Sequence, residues 1–271
     1  MRRRVLILGG SGLIGTAVTK EIDRDKTFEA YPTYYQNAIS DTQGVLFNME
    51  EPYSIYGILE TIGPEIIVSC LRGDFNKQLS VHMNLAEYLK VKGGRLYFFS
   101  TANVFDNDLS KPHDEDDVPD TQTEYGQYKI ECENKIRETL GDRAYILRIP
   151  QVWGKNSMRM NQLLRCLAGN EEIVVYPNLY YNTNTDIMIA RQVLHIIKKG
   201  LRGIFHLAAD DIINYKDFYV KLIKGLGFDT ANMREDDGDA GYFAIVSKRI
   251  DEFPEQLRSN NQSVIKYLIE K

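Results

Sequence analysis

Tyr125-Gly126-Gln127-Tyr128-Lys129 places a phenol and an ammonium four residues apart. On a helix, that spacing puts both on one face. A free phenol titrates near 10, too high for easy proton exchange at neutral pH, and a neighbouring ammonium favours the phenolate. A tyrosine tuned in this way is a usable general acid for a carbonyl oxygen. A surface pair has the same spacing, so the motif needs company. Company comes from Arg95–Ser100, an apolar strand running into Ser100-Thr101, whose threonine lies 24 residues before Tyr125. Ligands of doubly wound sheets sit beyond the carboxyl ends of strands. A hydroxyl there reaches the same carbonyl, although strand-end capping is its plainer use.

A second constellation is Gly9-x-x-Gly12-x-x-Gly15, between a short apolar run and a helical pattern. Glycines allow a tight turn, close approach of the backbone to a pyrophosphate and close helix–strand packing, and the helix N-terminus offers free N–H groups. A plain glycine turn is the bland alternative. Such sites usually carry an acid about 20 residues further on, bonding the adenine ribose. Tyr31–Asn37 holds neither acid nor arginine, which leaves Thr33 or Tyr34 for a ribose hydroxyl or a 2′-phosphate. With no carboxylate from Tyr31 to Ser40 to repel that phosphate, NADPH or NADH is expected, with a lean to NADPH.

The elements that must position these residues alternate. Strands are expected at Val5–Leu8, Phe28–Tyr34, Val45–Asn48, Glu65–Cys70, Arg95–Ser100 and Ala144–Ile149. Helices are expected over Gly12–Arg24, Ser54–Ile62, Gln78–Val91 and Tyr125–Leu140. Continuous apolar strands separated by helices predict a parallel sheet covered on both faces, an α/β Rossmann-type doubly wound fold. After Pro150 the pattern loosens. Helices are expected at Met158–Leu167, Asp186–Lys199, Tyr215–Leu226 and Asn261–Ile269, strands at Glu172–Val175 and Gly203–Leu207, and a loop at Met233–Gly241. The predicted division is a dinucleotide-binding domain at 1–150 and a smaller C-terminal lobe at 151–271, with 183–208 free to return to the first domain.

Composition narrows the partners. Among 271 residues, 33 Lys and Arg against 38 Asp and Glu give a net charge of −5, with no bulk attraction for nucleic acid or anionic lipid. Cys70, Cys132 and Cys166 form no CxxC and are an odd count, so reduced thiols and a cytoplasmic location are expected. Met1-Arg2-Arg3-Arg4 and the uncharged run behind it imitate a signal peptide, but four glycines interrupt the run and no cleavage pattern follows. No membrane association is expected.

Several residues carry less. His206 reads as a core histidine, and His82, His113 and His195 lack metal spacing, so no metal is expected. Asp114–Asp117 reads as a solvated loop. Tyr180-Tyr181 fits inter-lobe packing at least as well as ligand contact.

The chain resembles the extended short-chain dehydrogenases/reductases, and within them the dTDP-4-dehydrorhamnose reductase (RmlD-like) family. The likeness is carried by Gly9-Gly10-Ser11-Gly12-Leu13-Ile14-Gly15, Ser100–Asp106, Tyr125–Lys129, Leu147–Gly154 and Gly203–Ala208. It implies Thr101 as hydroxyl partner, Tyr125 as proton donor and Lys129 as the residue that tunes it. It implies cofactor contacts from Gly9, Gly12, Leu13, Ile14, Gly15, Thr33, Tyr34, Asn48, Met49, Cys70, Leu71, Arg72, Ser100, Tyr125 and Lys129. Asn103, Val104, Phe105 and Gln151 would face the substrate, a 4-keto nucleotide sugar gripped by the later lobe. The resemblance leaves a homodimer open. It also leaves open an epimerase or dehydratase of the same fold, and a non-catalytic NAD(P)-binding regulatory protein. The chain departs from the family at Ala102-Asn103, at Ser69-Cys70-Leu71, at Gln151 where an aromatic is usual, and in the loop Arg72–Phe75, from which Arg72 is free to reach the adenosine end. These departures bear on the substrate more than on the cofactor.

Overall fold

A computed structural model describes residues 2–39 and 43–270; Met1 of the signal-like start and Ser40 of the acid-free stretch lie outside them. In chain order the first part runs β1 (Arg3–Leu8), α1 (Leu13–Arg24), β2 (Phe28–Tyr34), β3 (Val45–Leu46), α2 (Ile55–Ile62), β4 (Ile66–Ser69), α3 (Phe75–Lys92), β5 (Arg95–Thr101), α4 (Glu124–Leu140) and β6 (Ala144–Ile149). Then follow β7 (Gln151–Trp153), α5 (Met158–Gly169), β8 (Ile173–Val175), β9 (Leu179–Tyr181), β10 (Thr183–Thr185), α6 (Asp186–Lys199), β11 (Gly203–His206), β12 (Ile213–Asn214), α7 (Tyr215–Gly225), β13 (Met233–Glu235), β14 (Gly241–Phe243) and α8 (Asn261–Ile269).

Seven strands form one parallel sheet in the order β11-β6-β5-β4-β1-β2-β3. Alternate residues of each strand feed two cores. Val5, Ile7, Val68, Tyr97 and Phe99 pack with Val18 and Ile22 of α1 and Ile189 and Val193 of α6. Leu6, Leu8, Ile67, Leu96 and Phe98 pack with Leu59, Leu85, Leu89 and Ile136 on the other face. Burial on both faces is why these strands read as unbroken apolar runs. The strand order reverses at β1, which neighbours both β2 and β4, so the ligand crevice of such a sheet opens at their carboxyl ends.

The remaining segments build the smaller lobe around Trp153, Leu163, Val175, Phe218, Leu222 and Val264. Its short strands pair as β7 with β10, β8 with β13, and β12-β9-β14. Within 183–208, α6 and β11 join the large sheet rather than this lobe.

Several boundaries differ from expectation, these three among them. Met233–Gly241 is not a plain loop, because Met233–Glu235 pairs with β8 and Gly241 opens β14 on β9. Edge pairing can recruit a polar stretch that has no apolar alternation of its own. The third strand of the sheet stops at Leu46. Helix α3 starts at Phe75 instead of Gln78, because Asp74 accepts the Lys77 N–H at 2.9 Å and caps it.

Candidate active site

The glycine turn closes at the end of β1. Gly9 has φ +71°, and a Cβ there would lie 2.7 Å from the Cys70 carbonyl oxygen. A Cβ on Gly15 would lie 2.2 Å from the Gly9 carbonyl oxygen, so α1 can approach β1 only with glycine at that place. Gly12 is the N-cap of α1, and no side chain bonds the N–H groups of that first turn. A bare helix N-terminus over glycine backbone fits a pyrophosphate. Thr33, on β2, is buried, and its hydroxyl accepts the Gly9 N–H at 3.0 Å. It therefore holds the turn from below, while Tyr34 beside it is half-buried. Leu13 and Ile14 open α1; the Leu13 methyl lies against Gly154 of the smaller lobe, and Ile14 joins the core. Asn48 accepts the Glu50 N–H at 3.0 Å, and the Met49 methyl covers Gly73. Cys70 and Leu71 continue β4 into the crevice, the Cys70 N–H bonding Leu8 O at 2.9 Å. Burial pushes the Cys70 thiol up, so it stays a neutral wall.

Thr101, at the end of β5, lies near Tyr125 and Lys129 in the first turns of α4. Tyr125 is 38% exposed. Partial burial raises its phenol above the usual value, while the Thr101 hydroxyl and the Arg72 charge pull it down. The net direction is upward, opposite to the expectation from the Tyr–Lys spacing. Lys129 explains why. Its Nζ donates to the Phe99 carbonyl at 2.9 Å and lies 5.8 Å from the Tyr125 ring centre. The ammonium is buried, which pulls it down to about 8. Arg72 acts on both Tyr125 and Lys129, so its charge serves this end of the crevice. Thr101 Oγ1 donates to Asn103 Oδ1 at 2.9 Å and accepts the Asn103 N–H at 3.2 Å, which fixes its rotamer.

Below this surface lies a charged cluster that sequence reasoning missed. Ser100 Oγ donates to Glu133, and Arg148 grips the same carboxylate with Nε at 3.1 Å and Nη2 at 2.7 Å. Arg148 also meets His206 at 3.3 Å, and the His206 ring bonds the Val246 carbonyl at 3.0 Å; burial holds the ring down to about 4. Two signals were available: an arginine inside the apolar strand AYILRI, and a glutamate one turn beyond Lys129 on the same helix face. Glu115, expected in a solvated loop, accepts the His206 and Lys248 N–H groups and ties two segments together.

Two of the residues expected to face the substrate belong to the interior instead. Val104 is fully buried, and Phe105 is stacked flat on His113 at 4.5 Å. The short helical turn Ala102–Phe105 rolls both side chains inward, while Asn103 remains at the surface of the crevice. Tyr181 is likewise core, whereas Tyr180 is exposed against Tyr242. Gln151 is half-buried beside Arg159; with its amide turned so that the oxygen faces the guanidinium, the two lie 2.6 Å apart.

The glycine turn lies at the carboxyl end of β1, and Thr101 at the carboxyl end of β5, on the same edge of the parallel sheet. Residues 74–267 match the RmlD substrate binding domain model. The chain belongs to the RmlD family. Relatives include bovine (Bos taurus) methionine adenosyltransferase 2 subunit beta, 32% identical over 166 residues, a stretch covering 56% of this chain and 48% of that protein. The RmlD-family chain thus spans about half the length of the curated mammalian relatives it matches. Its fold is shared with dTDP-4-dehydrorhamnose reductase of Bacillus anthracis in complex with NADP, at TM-score 0.84 and 19% identity over 100% of this chain and 99% of that one. It is shared too with the Bordetella bronchiseptica enzyme WbmH in complex with NAD+, at TM-score 0.78 and 14% identity over 98% and 100%. Among the described residues, no helix is long and apolar enough to cross a membrane.

Proposed function

We propose that this RmlD-family protein is an NAD(P)H-dependent reductase of a 4-keto nucleotide sugar. The observation that carries the reading is Tyr125, exposed at the crevice and held protonated at neutral pH beside the fixed Thr101 hydroxyl. The glycine turn and the uncapped start of α1 fit the pyrophosphate of a dinucleotide, and Lys129 the nicotinamide ribose. A bound nicotinamide would supply hydride to the carbonyl carbon. The Thr101 hydroxyl gives up its bond to Asn103 Oδ1 to bond and orient the carbonyl oxygen, Tyr125 gives it a proton, and the Lys129 charge beneath steadies the phenolate that remains. The absence of a carboxylate in Tyr31–Asn37 supports acceptance of NADPH, with NADH also used. The test is oxidation of NADPH and NADH by purified protein across a panel of nucleotide sugars that includes dTDP-4-dehydrorhamnose. Ketone-dependent oxidation is expected, and its absence with every 4-keto sugar tested overturns the reading.

A second reading is drawn from the relatives named as a subunit of methionine adenosyltransferase: a dinucleotide-binding partner protein that performs no turnover. The two differ in one observable, since a partner protein keeps its binding in Tyr125→Phe and has no turnover to lose.

A further inference from the structure

Gln151 and Arg159 form a pair that the reading above leaves unused. The register places Gln151 at the sugar end of the crevice. Thr101 pairs with Ile149 across β5 and β6, and Gln151 follows two residues later as the first residue of β7. Side chains alternate along a strand, so Gln151 and Trp153 share one face and Val152 the other. Val152 packs on the large sheet's core and Trp153 on the core of the smaller lobe. Gln151 therefore faces the side of the smaller lobe, near Tyr215, beside the end of β5 that carries Thr101.

Arg159 is fixed there. With the Gln151 amide turned so that its oxygen faces Arg159, the guanidinium donates to that oxygen at 2.6 and 3.3 Å; it lies over the Trp153 ring, 5.5 Å from the ring centre. Neither partner carries a charge, so the cation is oriented without being neutralised. The wall behind it is polar as well as aromatic: the Tyr181 hydroxyl and the Trp153 indole N–H are both buried with no hydrogen-bond partner among the described residues, and the Arg159 charge reaches the Tyr181 and Tyr215 hydroxyls. A planar guanidinium held by its flank, with its remaining N–H groups exposed, matches phosphate or carboxylate geometry.

We propose that Arg159, set in place by Gln151, binds a negatively charged group of the substrate, a phosphate or a carboxylate. This rests on the crevice being the substrate site. One chemistry has two sources: the diphosphate of a nucleotide sugar, or an acidic group on the sugar itself. The experiment is calorimetric titration of the protein saturated with NADP+, using dTDP, thymidine and glucuronate as probes, for wild type, Arg159→Gln and Arg159→Lys. Arg159 is exposed, and equal melting temperatures check that the variants fold. The expected result is dTDP binding weakened at least tenfold in Arg159→Gln, with partial recovery in Arg159→Lys and unchanged thymidine and NADP+ affinity. Glucuronate binding with the same dependence, in place of dTDP, supports the site and assigns the charge to the sugar. Equal affinity of wild type and Arg159→Gln for both anions, or no binding of either by wild type, overturns the proposal. The initial NADP+ titration and the ketone reduction assay judge the reductase reading separately.

Discussion

Phe75 lies across the ring of Tyr125, with centroids 5.7 Å apart, and stacks on Tyr128 at 5.0 Å. The first residue of α3 thus packs against the first turn of α4, the turn that carries Tyr125. Gln78 reinforces the join by accepting the Tyr128 hydroxyl at 3.1 Å and donating to the Gly73 carbonyl at 2.8 Å. Phe75→Ala should lower kcat several-fold and leave cofactor affinity nearly unchanged, because the ring positions Tyr125 and not the dinucleotide; an aromatic contact of this kind is worth about 1 kcal/mol. Phe75→Tyr should restore the rate. Steady-state kinetics of both variants against wild type check this.

Lys129 sets an alkaline limit. Its ammonium titrates at about 8 in the fold against an ordinary 10.5. Turnover in the reducing direction should fall as pH rises through about 8, when the positive charge under Tyr125 is lost; a rate that stays flat to well above that value would exclude the role. Stability moves the other way. Between about 8 and 10.5 the unfolded chain holds a proton that the folded protein has released, so wild type should gain stability relative to Lys129→Met as pH rises across that window.

The Glu133–Arg148 pair is fully enclosed, so removing one partner strands a charge. Glu133→Gln should destabilise the fold by about 3–5 kcal/mol. Chemical denaturation of that variant, beside a double variant replacing both residues with apolar side chains, checks the assignment: the double variant should recover much of the loss.

Sequence spacing made the large sheet legible because strands buried on both faces have one reading, and β2, β6, α6 and α8 fall at the expected residues. The placement of Thr101 at a strand end and of Tyr125 and Lys129 on one helix face was legible for a related reason, since helix and strand-end geometry are local. What spacing did not reveal depends on distant partners. The hydroxyl of Thr33 bonds Gly9, 24 residues away, and Glu133 finds Arg148 and Ser100 only once three elements are packed. Val104 and Phe105 turned inward because a helical turn, not an extended strand end, follows Thr101.

The glycines of the turn should separate by role. Gly15→Ala meets backbone at 2.2 Å and should prevent the turn from forming, whereas Gly12 has only Gly9 O within 4 Å, at 3.3 Å. Gly12→Val should therefore fold with a near-native melting temperature and bind dinucleotide poorly, because its side chain occupies the cradle. Thermal melting with fluorescence titration of NADPH distinguishes the two.

The missing acid at the end of β2 predicts dual cofactor use, with NADPH favoured by about tenfold or less, equivalent to about 1.4 kcal/mol. Titration with each reduced cofactor measures it. A preference for NADH beyond a hundredfold would mean that an acid from elsewhere fills that place.

Proton donation by Tyr125 is the claim on which the functional account rests. Its direct measurement is single-turnover reduction of a 4-keto nucleotide sugar by wild type and Tyr125→Phe, both saturated with NADPH. The account predicts a loss of about 10²–10⁴-fold in the chemical step with cofactor affinity nearly unchanged. A Tyr125→Phe variant that reduces the ketone at close to the wild-type rate would contradict it.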